Sequence, residues 1–250
     1  MKTVLIAVAL LVLLGGGFLI FKSQQQPTVS SPAPQANQPT SKMQYVFENP
    51  KKSAHFESNT PAHGAILAGV PTNVVIDVNF DLASPSDIKI LKDQKDYGLR
   101  ETVIDDNKLA MRRNMDPDSP DGIYKVEYKA CWPDKSCHDG NFQFAIDKKL
   151  SKDFTDETGK KEVEIRMSEI MFNPQNIKIS EGTKITWIND DSVAHYVNTD
   201  PHPGHSYYPL QNSKALGKGE RYSVSFGTPG IYPYHCSVHA DQMVGNILVE

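Results

Sequence analysis

Short β-rich runs fenced by turn-forming residues recur along this chain and point to an all-β body. Val74-Val75-Ile76-Asp77-Val78-Asn79-Phe80 and Ile123-Tyr124-Lys125-Val126-Glu127-Tyr128 alternate at the strand period over most of their length, and Asp-Gly pairs punctuate the region. Further on, Ile185-Thr186-Trp187-Ile188 and Tyr222-Ser223-Val224-Ser225-Phe226 are bounded by Gly, Asn, Asp and Pro. Such runs suit β-sandwiches that carry functional residues on the loops at one end. At 250 residues, 39% hydrophobic and 22% charged, the chain has room for about two ordinary domains.

The expected organisation is a membrane helix at 1–22, a linker at 23–50, a first sandwich at 51–148, a joint at 149–161 and a second sandwich at 162–250. Thr3 to Phe21 is uncharged and apolar between Lys2 and Lys22, long enough to cross a bilayer as a helix. A cleaved signal peptide is the competing reading. No small-x-small site directly follows Gly15-Gly16-Gly17-Phe18-Leu19-Ile20-Phe21, and no Cys is placed there for lipidation. An uncleaved single-pass anchor is therefore expected, with the folded domains extracytoplasmic, periplasmic or on the cell-surface side. Ser23 to Lys42 is rich in Gln, Pro and Ser and reads as a semi-extended tether. A net charge of −4 with no basic stretch argues against a nucleic-acid partner.

The most specific chemistry lies near the carboxyl end, in Tyr234-His235-Cys236-Ser237-Val238-His239-Ala240-Asp241-Gln242-Met243. Cys236, His239 and Met243, taken with His195 upstream, offer one metal a thiolate, two imidazoles and a thioether. A thiolate and two imidazoles in a plane with a weak axial thioether suit copper that shuttles between Cu(I) and Cu(II). Zinc is the rival, but its structural sites favour several cysteines and Met serves it poorly. A rigid β scaffold holding such ligands nearly fixed would lower the reorganisation that accompanies a redox change.

Other residues leave alternatives open. His202 and His205, in Asp200-Pro201-His202-Pro203-Gly204-His205, offer a second surface metal site or a point of copper uptake, against a solvated loop with incidental histidines. His235 precedes Cys236 on one strand and points to the opposite face, beside the site or at the surface, and is not read as a ligand. Cys131 and Cys137 most simply form a disulfide in an exported domain, and the alternative is a Cu(I) thiolate site with His138. The disulfide would leave Cys236 as the single free thiol. No nucleophile elbow or Gly-rich phosphate loop is present, so binding and electron transfer are expected in place of catalysis.

The stretch from Glu162 to Glu250 resembles a cupredoxin, the Greek-key β-sandwich of plastocyanin, pseudoazurin and amicyanin. The resemblance is carried by Met171-Phe172-Asn173-Pro174, Gly182-Thr183-Lys184-Ile185-Thr186-Trp187-Ile188-Asn189, Ala194-His195, Gly230-Ile231-Tyr232-Pro233-Tyr234-His235-Cys236 and Met243-Val244-Gly245-Asn246-Ile247. It implies that His195, Cys236, His239 and Met243 are the four ligands of a type-1, or blue, copper. Residues Ala240, Asp241 and Gln242 separate His239 from Met243, whereas these relatives mostly have two or four at that place. A binuclear copper centre would need a second cysteine in this loop, and a multicopper oxidase further paired His-x-His motifs and a larger chain.

The first domain carries the motifs Thr60-Pro61-Ala62-His63-Gly64, Asp121-Gly122-Ile123-Tyr124-Lys125-Val126 and Gly140-Asn141-Phe142-Gln143-Phe144. On these it resembles the CopC-type copper-resistance domain of the bacterial envelope, which implies an immunoglobulin-type sandwich. By that resemblance Asp134 takes the place of the family's Asp ligand, while Ser136 stands where its His should be. A shifted second copper site from His55, Asp134 and His138 is the corresponding expectation. The whole chain then reads as a membrane-anchored copper protein for copper handling and resistance with electron transfer to a membrane or extracytoplasmic redox partner. The alternative is copper capture or delivery to an acceptor with no redox role.

Overall fold

Alternation decides which side of each strand is wetted, and it is clearest in the run Glu162–Ser168, where Val163, Ile165 and Met167 are buried while Glu162, Glu164 and Arg166 are exposed. The computed structural model describes residues 45–250. The expected membrane helix at 1–22 and residues 23–44 of the linker expected at 23–50 lie outside the described residues. Among the described residues no helix is long and apolar enough to cross a membrane, and the only helical turns are the 3-10 segments Lys148–Asp153 and Pro209–Gln211. The described residues are all-β otherwise.

The first sandwich contains β1 (Phe56–Thr60), β2 (Ile66–Leu67), β3 (Asn73–Val78), β4 (Asp87–Lys92), β5 (Lys95–Asp96), β6 (Gly98–Ile104), β7 (Ala110–Met115), β8 (Gly122–Cys131) and β9 (Cys137–Ile146). Its sheets run in the orders β1-β3-β7-β6 and β2-β9-β8-β4-β5. Between them pack Val74, Ile76 and Met111 from one sheet and Ile88, Ile90, Tyr124, Val126, Phe142 and Phe144 from the other. Both runs that announced this domain are strands, as β3 and β8.

The second sandwich contains β10 (Thr155–Asp156), β11 (Glu162–Ser168), β12 (Met171–Asn173), β13 (Asn176–Ile179), β14 (Lys184–Asn189), β15 (Asn198–Thr199), β16 (Arg221–Ser225), β17 (Gly230–His235) and β18 (Val244–Val249). Its sheets are ordered β12-β11-β14-β16 and β10-β13-β18-β17-β15, with β11 parallel to β14 and β13 parallel to β18. Trp187, Phe226, Tyr232 and Tyr234 fill the space between them. The segment 149–161, expected as a joint, carries part of that 3-10 turn, places Phe154 against the first core and contributes β10, which pairs in parallel with β13.

The two sandwiches share a seam. Every residue of β3 is buried: Val74, Ile76 and Val78 face their own core, while Val75 packs in the core of the second sandwich with Ala110. In return Ile231 and Leu248 of the second sandwich join the first core. The Ile231 amide donates to the Val70 carbonyl at 2.9 Å, and Arg112, paired with Asp105, donates to the Ser206 carbonyl at 3.0 Å. Gly230 sits at φ +142°, where an added Cβ would lie 2.7 Å from Thr72 Cγ2 and 3.0 Å from the Val70 carbonyl oxygen.

Tyr207 ties the seam at its centre. Its hydroxyl accepts from the Thr72 amide at 2.8 Å and donates to the Ile231 carbonyl at 2.8 Å. Burial pushes the phenol up to about 12, so it stays protonated and keeps that donor. Tyr207→Phe leaves two backbone groups short of a partner, and a loss of about 2 kcal/mol is expected. Chemical denaturation followed by tryptophan fluorescence measures it.

Candidate metal centre

The loop from Cys236 to Met243 closes the hairpin of β17 and β18, whose register pairs His235 with Val244. It is held by its own backbone. The Cys236 amide donates to the Met243 carbonyl at 2.9 Å, the His239 amide to the Cys236 carbonyl at 2.9 Å, and the Gln242 and Met243 amides to the His239 carbonyl at 3.0 and 2.8 Å. Because β15 pairs with β17 through Asn198 and His235, the residues just before β15 lie alongside Cys236. His195 is clamped there by reciprocal backbone hydrogen bonds with Leu216, at 3.1 and 2.8 Å. Strand register thus brings the distant histidine to the loop.

The side chains converge. Cys236 Sγ lies 3.7 Å from His195 Nδ1 and 3.6 Å from His239 Nδ1, and the three donor atoms all fall within 4.8 Å of one another. Cys236, His195 and Met243 are wholly buried, whereas His239 is partly exposed beside the exposed Val238. Met243 packs in the same core cluster as Cys236. The Tyr196 amide points at Cys236 Sγ from 3.4 Å, a donor that would stabilise a thiolate. A soft sulfur with two imidazole lone pairs aimed at a common point fits copper.

Asp191 completes the arrangement, and sequence reasoning missed it. His195 Nε2 lies 2.8 Å from the Asp191 carboxylate, which can only accept, so Nε2 carries the proton and Nδ1 presents its lone pair to the centre. The same carboxylate accepts the amides of Glu169 and Ile170 at 2.9 and 3.1 Å. Burial works to raise the Asp191 carboxyl, but the His195 imidazole and the two amides prevail and hold it below the usual carboxylate range. The signal available was a carboxylate one helical turn's length before the ligand in a loop, Asp191-Ser192-Val193-Ala194-His195. Asp191→Asn is expected to weaken copper binding by roughly ten- to a hundredfold. Competition titration against a chelator measures this, with circular dichroism to check that the fold persists.

The remaining expected sites divide. His202 and His205 come together with His235, a residue only 2% exposed, so the surface reading of His235 does not hold. Cys131 and Cys137 form a disulfide between the ends of β8 and β9, which removes the Cu(I) alternative, and Cys236 is free. His55, Asp134 and His138 are not assembled: among the described residues, only the His195 and His202 trios bring donor atoms of His, Cys, Asp or Glu within 4.8 Å. His55 is engaged with Phe80 and Trp132, at ring distances of 5.0 and 5.1 Å, and its Nδ1 meets Asn79 Oδ1 at 3.0 Å. Asp134 accepts from the amide and hydroxyl of Ser136 at 2.9 and 2.6 Å within the hairpin turn. Turn hydrogen bonds thus engage Asp134, and aromatic packing engages His55.

A family model described as copper binding proteins, plastocyanin/azurin family, matches residues 159–250, and a CopC domain model matches 56–147. Plastocyanin of Prochlorothrix hollandica is 37% identical over 83 residues, 32% of this chain and 63% of that protein. The chain thus spans slightly under two thirds of this relative. Amicyanin-alpha of Methylorubrum extorquens is 30% identical over 87 residues, 35% of this chain and 71% of that protein. A purple cupredoxin of Nitrosopumilus maritimus, a solved structure, aligns with 32% identity over 35% of this chain and 99% of its own, at a TM-score of 0.32.

Proposed function

Since the chain belongs, through residues 159–250, to the plastocyanin/azurin family of copper-binding proteins, and carries a CopC domain before it, we propose that it is an extracytoplasmic copper-handling protein whose type-1 centre transfers electrons. His195, Cys236 and His239 would hold the metal, with the buried Met243 thioether as a further soft donor. Copper held there would supply one-electron exchange between Cu(I) and Cu(II).

The observation that carries the redox reading is the contrast in exposure: three donors are sealed from water while His239 alone reaches the surface. A partly exposed imidazole edge gives an electron a short way out, and burial of the others resists loss of the metal. The loop's internal backbone hydrogen bonds tie Cys236, His239 and Met243 together without a metal, which would limit their movement on a change of the metal's charge. Partners are then copper ions and a redox protein that docks over His239. The Cys131–Cys137 disulfide supports a compartment outside the cytoplasm, and the apolar run Thr3 to Phe21 supports anchoring there.

Voltammetry of the copper-loaded full-length protein tests this reading. A reversible one-electron wave with copper retained after many cycles is expected. Release of copper on reduction would sink the carrier function and favour capture and delivery, the role suggested by the CopC partner domain.

A further inference from the structure

His202, His205 and His235 converge away from the thiolate centre, and their geometry is that of a second ligand set. Their donor nitrogens all lie within 4.8 Å of one another, with ring centroids 5.1 to 5.5 Å apart. We propose that this trio binds a borderline divalent transition ion, Zn(II) or Cu(II), as a three-imidazole site independent of the thiolate centre. Three neutral imidazoles with an open fourth position are a donor set that both ions accept.

The chain prepares His235 for this role. Its Nδ1 is 2.7 Å from Asp200 Oδ1, and a carboxylate only accepts, so the proton sits on Nδ1 and the lone pair on Nε2. Asp200 thereby fixes the tautomer and raises the basicity of the ligating nitrogen, as carboxylates do behind metal-bound histidines. His235 Nε2 faces His205 Nε2 at 3.2 Å. Two lone pairs at that distance repel unless a proton or a metal ion lies between them.

His205 is held in place by its loop, which folds back through the His205 amide to the Pro201 carbonyl at 2.7 Å and the Tyr207 amide to the Asp200 carbonyl at 2.9 Å. It adopts φ +48°, an uncommon conformation for a side-chain-bearing residue. Its Nε2 also meets Ser237 Oγ at 3.1 Å. Asn198 lies 3.5 Å from its Nδ1 and keeps a buried Oδ1 without a partner. Turning that amide would let Oδ1 accept from Nδ1–H and leave Nε2 free for an ion. Burial, with the neighbouring His235 and His202, pushes the His205 imidazole down to about 4, so it is neutral and able to donate at neutral pH. His202 is exposed and closes the trio from the solvent side.

The test removes the thiolate centre first. Full-length Cys236→Ser protein is dialysed against Zn(II) and its bound metal counted, and Cu(II) loading is followed by electron paramagnetic resonance. One equivalent of Zn(II) is expected. Adding His202→Ala should weaken it at least tenfold, and adding His202→Ala with His205→Ala should abolish it, while adding His239→Ala should leave it unchanged. Binding that survives the His202 and His205 changes, or that vanishes with His239→Ala, overturns the proposal. An absence of bound metal overturns it too and makes the trio a proton-sharing cluster. Because His202 is exposed, its single variant retains the fold and keeps the comparison decisive.

Discussion

The copper-loaded full-length protein is expected to show an intense visible absorption that an imidazole-only site would lack and that Cys236→Ser abolishes. Charge transfer from a thiolate to Cu(II) requires the thiolate, and Cys236 is the single free cysteine, buried and 3.6 to 3.7 Å from two imidazole nitrogens. The serine hydroxyl occupies nearly the same space but is a hard, neutral donor, poorly matched to Cu(I). The protein should therefore lose its colour and bind Cu(I) much more weakly while keeping its fold. Absorption spectra of the two proteins at matched copper content decide the matter. An unchanged band in the variant would remove Cys236 from the centre and with it the proposed electron-carrier role.

Trp187→Ala is expected to cost about 3–5 kcal/mol, the range for emptying a large aromatic site in a packed core. Against a total stability of about 5–15 kcal/mol, that is enough to leave a sizeable fraction unfolded. Trp187 is fully buried, with ring centroids 5.6 Å from Tyr234, 6.2 Å from Tyr222 and 6.5 Å from Phe226. Tyr234 lies on β17, two positions before Cys236, so the cavity also loosens the strand that leads into the thiolate loop. Urea unfolding monitored by circular dichroism measures the loss. A change below ~1 kcal/mol would mean that the neighbouring rings collapse into the space.

Trp187 also shows what the sequence made legible. Ile185-Thr186-Trp187-Ile188 read as a strand from its composition, and it is the middle of β14. The runs that became β3, β8 and β16 were readable for the same reason. His195, Cys236 and His239 were readable because metal chemistry restricts residue types severely, and three of the four expected ligands lie in one loop. What escaped was contact across elements. Asp77 looks solvent-facing in an alternating strand, yet it is 6% exposed, because the second sandwich covers that side. Its burial raises the carboxyl above the usual range. His235 does point away from Cys236, as alternation requires, but the loop bearing His202 and His205 folds over it and turns an outer face into an interior. Asp191 is a short polar residue in a loop, and only the fold reveals that its carboxylate meets His195.

The seam binds the history of the two halves together. Leu248 lies so close to Gly69 that a methyl group there would come within 2.5 Å of it, and Gly230 faces Thr72 and Val70 with equally little room. Val75 and Ala110 belong to one half yet complete the core of the other, and Ile231 and Leu248 do the reverse. Enlarging a residue on one side is tolerable only with a matching reduction on the other. Neither half could therefore be exchanged for a homologue by recombination without exposing or crowding the other, and substitutions across the seam should co-vary as those within one core do.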